Sequence, residues 1–108
     1  MSGPGETEPA HRLRAKLEQV RFASYHHVLE VEVSDTAYQV RQQFETLSDE
    51  FSPQGWLAPV DADDVLVLDE IGQGIEEAYS VLGQPEFRAR YEQALTQAAL
   101  QAERDGGR

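Results

Sequence analysis

The sequence predicts an all-α fold, two long helices packed as an antiparallel hairpin with short flanking helices at both ends. Apolar residues recur at spacings of 3, 4, 3 and 4 in two separate stretches. The first is Ala37, Val40, Phe44, Leu47 and Phe51, and the second is Leu68, Ile71, Ile75, Ala78 and Leu82. That spacing lines one face of a helix. Pro53, Gly55 and Pro59 lie between the stretches. Two equal stripes joined by a loop bury each other as an antiparallel pair.

Residues 1–10 are rich in Gly, Pro and Glu with nothing to bury, and read as a flexible tail or linker. Residues 11–102 form the helical domain, and residues 103–108 read as a second loose end. From His11 a helix presents Leu13, Leu17 and Val20 on one face, with Arg12, Arg14 and Lys16 opposite. Ser24 caps a short helix carrying Tyr25, Val28 and Leu29. Ser34 and Asp35 supply a cap and a first-turn acid for the first striped helix, which Pro53 and Gly55 end. After the Trp56 loop, Asp61, Asp63 and Asp64 stand where a helix N-terminus favours negative charge. Gly72 and Gly74 fall inside the second stripe and read as places where helices approach closely, or as a local weakness. Gly83 suits the left-handed position that closes such a helix. Pro85 opens the last helix, with Phe87, Tyr91, Ala94, Leu95 and Ala98 along it.

A chain of 108 residues accommodates one domain with a modest core. It has no cysteine, so disulfides, thiolate metal sites and Cys nucleophiles are excluded. Nine basic residues against twenty acidic ones give a net charge of −11. Between Tyr25 and Glu92, fifteen acids face only Arg41, Arg88 and Arg90, a balance of −12. Such a surface repels phosphate backbones, which argues against nucleic acid. It favours a protein partner with a basic surface, or simply keeps the chain soluble. No apolar run approaches the ~20 residues of a membrane span, and no secretion leader follows Met1. The expectation is a cytoplasmic protein with no membrane attachment.

Four segments in order resemble the J-domain family. Tyr25-His-His-Val-Leu-Glu-Val31 is similar to the family's Tyr-x-x-Leu-Gly-Val opening. Phe44-Glu-Thr-Leu-Ser-Asp-Glu-Phe51 stands where the second helix has Tyr-x-x-Leu-Ala-x-x-Tyr. Ile75-Glu-Glu-Ala-Tyr-Ser-Val-Leu82 resembles the third-helix Ile-x-x-Ala-Tyr-x-Val-Leu. Pro85-Glu-Phe-Arg-Ala-Arg-Tyr-Glu92 resembles Asp-Pro-x-x-Arg-x-x-Tyr-Asp. The resemblance spans about two thirds of the chain and implies that Tyr79 lies at the hairpin core, facing the segment around Phe87 and Tyr91. The family follows a basic second helix with His-Pro-Asp, the tripeptide that drives an ATP-dependent chaperone. Here Ser52-Pro53-Gln54 holds that place. The proline remains, but a hydroxyl and an amide cannot make the charge-assisted contacts of an imidazole and a carboxylate. The second helix carries Asp35, Glu45, Asp49 and Glu50 against Arg41, a sum of −3, where the family presents positive charge to an acidic chaperone surface.

Other chemistry is weakly signalled. His26 and His27 are adjacent and point apart on a helix, so they cannot chelate one metal. The acids from Asp61 lack the glycine and glutamate of a calcium loop, since Leu66 and Gly72 occupy those places. Gly72-Gln-Gly74 has neither the preceding strand nor the Lys-Ser/Thr of a phosphate loop. No Ser-His-acid motif is present. The sequence therefore predicts no catalytic residue, no metal and no cofactor. It predicts a non-catalytic J-like adaptor or regulatory module, with Trp56, Leu57, Arg41, Glu45 and Asp49 as partner-binding candidates. Trp56 alternatively folds back to plug the open end of the hairpin. Two competing expectations are a divergent co-chaperone of a DnaK-type chaperone and a structural subunit that oligomerises through Leu13–Val20 and Ala94–Leu100.

Overall fold

A computed structural model describes residues 8–56 and 60–106. Five helices follow one another: α1 Glu8–Phe22, α2 Tyr25–Leu29, α3 Ala37–Glu50, α4 Ala62–Leu82 and α5 Pro85–Gly106. No strand occurs among the described residues. Residues 8–10 belong to α1 and residues 103–106 to α5, so these parts of the expected loose ends are helical.

Helix α4 is the centre, in contact with each of the other four. All five members of its stripe, from Leu68 to Leu82, are buried. From α3, Val40, Leu47 and Phe51 join them, from α2 Val28 and Leu29, and from α1 Leu13. Phe44 is half-buried and stacks on Tyr79, with ring centroids 4.1 Å apart and planes 9° apart. Ala37, which opens the α3 stripe, is exposed, and lines one shallow depression with Leu82 and Gly83 at the end of α4.

Local signals set the helix ends. Thr36, not Ser34 or Asp35, caps α3. Its Oγ1 accepts from the Gln39 amide at 3.1 Å, and Gln39 Oε1 accepts from the Thr36 amide at 2.7 Å. This reciprocal box satisfies two helix-end donors, which a lone Ser34 hydroxyl could not. Asp35 instead accepts from the Glu32 amide. Asp61 and Asp64 build the same box at the start of α4. Gly83 is right-handed (φ −80°), contrary to the sequence reading. Glycine is needed there for space, since a Cβ would lie 2.8 Å from the Tyr79 ring. Gly74 has a similar reason, as a Cβ would approach Val20 of α1 to 2.6 Å. Gly72 has open space around it.

The largest departure is in α1. Lys16, expected on the solvent side, is buried at 1 % exposure. It lies three residues after Leu13 and four before Val20, on the same stripe. Its Nζ donates to the Val28 carbonyl at 2.9 Å and meets the Glu30 carboxylate. Arg12 completes the cluster, with Nη1 3.0 Å from Glu30 and two hydrogen bonds to Glu50 at 2.9 and 3.0 Å. Both cations lie over the Phe51 ring. Further along, Arg21 donates to both carboxylate oxygens of Glu70. The basic leading helix is thus clamped onto the acidic remainder of the chain.

Burial works to raise the Glu30 carboxyl, but the hydrogen bonds and charges of Lys16 and Arg12 overcome it and hold the group below its ordinary value. Glu92 is likewise lowered, with burial outweighed by His26 and Arg88. A carboxyl depressed on folding contributes stability above its unfolded value and loses it as pH falls through the folded one. Urea-unfolding stability is therefore expected to hold from neutral pH down to about 5 and to fall below about 4.5. The Glu30→Gln, Glu92→Gln variant, weaker at neutral pH, should lose less on acidification. Equal acid slopes for the two proteins would contradict this account.

Helix α5 keeps little of its predicted stripe in the core. Tyr91 packs beside Tyr25 at 4.8 Å and its Oη accepts from the Tyr25 amide at 2.9 Å. Phe87, Ala94, Leu95 and Ala98 are exposed. Tyr79 stacks on Phe44 and its ring lies beside Gly83, whereas Tyr91 packs on Tyr25 and Phe87 is exposed.

Candidate functional site

The candidate residues collect on α3 and on the turn that follows it. With Val40, Leu47 and Phe51 facing the core, the helix turns Tyr38, Arg41, Gln42, Glu45 and Asp49 to solvent, at i, i+3, i+4, i+7 and i+11. Arg41, Glu45 and Asp49 were singled out from the sequence, and they share this face. Tyr38 was missed, although it is 71 % exposed. The signal was available, because Tyr38 keeps helical phase with Arg41 and Glu45 and lies off the apolar stripe. Gln42 Nε2 donates to the Tyr38 hydroxyl at 3.1 Å, and Arg41 pairs with Glu45 at 3.5 Å. Tyrosine and arginine on an exposed helix face are the residue types that dominate protein interfaces.

The charge of this face differs from the sequence sum. Asp35 precedes the helix, and Glu50 turns to α1, where Arg12 neutralises it. Arg41, Glu45 and Asp49 remain, a balance of −1 in place of −3. One charge is removed by an ion pair across 38 residues of sequence, the other by the start of the helix after Asp35.

After Phe51 the chain makes a tight turn through Ser52, Pro53 and Gln54. The Ser52 carbonyl accepts from the amides of Gly55 at 3.1 Å and Trp56 at 3.0 Å. Proline at the second position fits the fixed φ of such a turn. The Ser52 hydroxyl donates to the Asp49 carbonyl at 2.8 Å and accepts from the Gly55 amide at 3.0 Å. It satisfies a helix-end carbonyl and closes the turn at once. Gly55 is forced, since a Cβ there would lie 1.9 Å from the Asp49 carbonyl oxygen. Pro53 and Gln54 are exposed. Trp56 is half-buried and stacks on Phe51, with centroids 5.3 Å apart, so the ring lies against the core. Leu57 lies outside the described residues.

Among the described residues, no three metal-ligating side chains cluster, and no helix is long and apolar enough to cross a membrane. His26 is buried against Glu92 at 2.8 Å, while His27 is exposed and bonds Ser24. The chain matches no protein-family model, no curated protein and no solved structure. Fold and surface together define a small all-α domain with a mixed-charge helix face that ends in a proline turn.

Proposed function

We propose that this domain is a non-catalytic J-like protein-interaction module that binds a protein partner without stimulating a chaperone ATPase. The turn after α3 carries this reading. In the place of His-Pro-Asp, the Ser52 hydroxyl is engaged by Asp49 and Gly55, and Gln54 brings an uncharged amide. The side chains there hold the turn and offer no charge to a chaperone.

Two observations support the J-like arrangement. The start of α3 lies beside the end of α4, as an antiparallel pair requires. Leu29-Glu-Val31 is similar to the family's Leu-Gly-Val in a register one residue out from Tyr25, with glutamate in place of glycine, and Glu30 is the one non-glycine residue with positive φ among those described (φ 56°). Glycine adopts that backbone without strain and glutamate does not. Here the cation cluster on the Glu30 carboxylate and the helix-closing bond from its amide to the His27 carbonyl offset the cost.

Steady-state ATP hydrolysis by a DnaK-type chaperone tests this reading through gain of function. Ser52→His with Gln54→Asp is expected to recover little, because it removes the Ser52 bonds and leaves Glu45 and Asp49 facing an acidic surface. Adding Glu45→Lys and Asp49→Lys should raise the rate further. Glu50 should be left in place, because Arg12 needs it. Full stimulation by the double variant alone would show that the helix charge does not matter. No stimulation by the four-fold variant, folded by circular dichroism, would count against a J-like ancestry of the surface.

A further inference from the structure

Helix α4 has one face that no other helix covers. Ala62, Val65, Leu66, Asp69, Gln73 and Glu76 follow at i, i+3, i+4, i+7, i+11 and i+14, and all are exposed. The other large aliphatic residues of α4 are buried or packed against the core, whereas Leu66 is 69 % exposed and Val65 40 %. These two side chains ride on the first two turns, which the Asp61–Asp64 box holds in place. A partner covering them would order little backbone on docking.

The rim around this pair is acidic. Asp61, Asp63 and Asp64 precede it, and Asp69 stands one turn on. No lysine, arginine or histidine occurs between Arg41 and Arg88. Of the α1 cations, Arg12, Lys16 and Arg21 are committed to Glu30, Glu50 and Glu70. An apolar centre inside a negative rim calls for a partner with aliphatic contacts and positive charge. A second copy would set the same aspartates against one another, and an anionic membrane or nucleic acid would be repelled.

We propose that the exposed face of α4 docks a basic amphipathic helix of a protein partner. Aliphatic side chains of that helix cover Val65 and Leu66, while its lysines or arginines meet Asp63 and Asp69. The surface rests on the reading of the domain as an interaction module, and it is separate from the α3 face.

The test is nuclear magnetic resonance on the full ¹⁵N-labelled chain, titrated with a synthetic amphipathic helix of leucine and lysine. Amide shifts are expected to centre on Val65, Leu66 and Asp69. Leu66→Ser should weaken binding about tenfold, and Asp63→Asn with Asp69→Asn should do the same and blunt its salt dependence. Phe22→Ala, at an exposed apolar residue of α1, should leave binding unchanged. Shifts centred on α3 would overturn the proposal. So would equal affinity for a peptide with glutamine in place of lysine, or Leu66 shifts that track protein concentration without peptide. A chaperone stimulated by the unaltered protein would overturn the proposed function alone. A silent chaperone with no perturbation at Leu66 would overturn this surface alone.

Discussion

Leu47→Ala is expected to destabilise the domain by about 2–5 kcal/mol, the range for truncating a fully buried leucine. Leu47 is 1 % exposed, in the α3 stripe that packs on α4. Small domains have only about 5–15 kcal/mol in total, so the loss is a large fraction of the whole. At about 4 °C or more per kcal/mol for a domain of this size, it should be plain in a thermal melt. Tyr38→Ala, on the opposite face of the same helix, should leave the melt almost unchanged. An unaltered melting temperature for Leu47→Ala would mean that α3 does not face the core through this stripe.

Lys16→Ala is expected to cost about 3 kcal/mol, the lower end of the range for breaking a buried ion pair. The lower end applies because Glu30 keeps a 31 % exposed side chain and retains Arg12 as a partner. Burial, together with the nearby Arg12 charge, lowers the Lys16 ammonium from its usual range, a cost that the Glu30 contact only partly offsets. Lys16→Met, which fills the same space without charge, should therefore recover at least half of the loss. Denaturant unfolding of the three proteins decides the matter. Equal losses for alanine and methionine would show that the ionic contact, and not packing, holds α1 in place. No loss for either would contradict the burial of Lys16.

The α4 stripe was legible in full, because an uninterrupted 3-4 spacing of Leu, Ile and Ala has few other uses. The α3 stripe was nearly so, with Ala37 exposed at its end. Lys16 was not, although its register with Leu13 and Val20 was visible. A lysine reads as solvent-facing unless its acceptors are known, and these are the Val28 carbonyl and a glutamate fourteen residues away. The same distance effect hid the neutralisation of Glu50 and so inflated the charge assigned to α3. Three adjacent capping residues obscured the start of α3, and Gln39, three positions after Thr36, was the deciding clue. The α5 stripe misled for a different reason: its residues satisfy the spacing, yet only Tyr91 packs against the core, while Phe87 and Leu95 are exposed. At the site, Arg41, Glu45 and Asp49 share one exposed face of α3, because their four-residue spacing keeps them in helical phase. The role of Ser52 in closing its turn depends on backbone geometry that spacing cannot supply.

The most direct test of the central claim is the ATP hydrolysis rate of a DnaK-type chaperone as the unaltered protein is titrated in at low salt. Low salt preserves exposed charge interactions, which are screened over ~10 Å at about 0.1 M, and so lets any electrostatic contact show itself. A rate that stays at the chaperone's own background across the titration is the predicted result. A saturable rise in hydrolysis, lost in the Pro53→Ala variant, would contradict the account and make the domain a working co-chaperone.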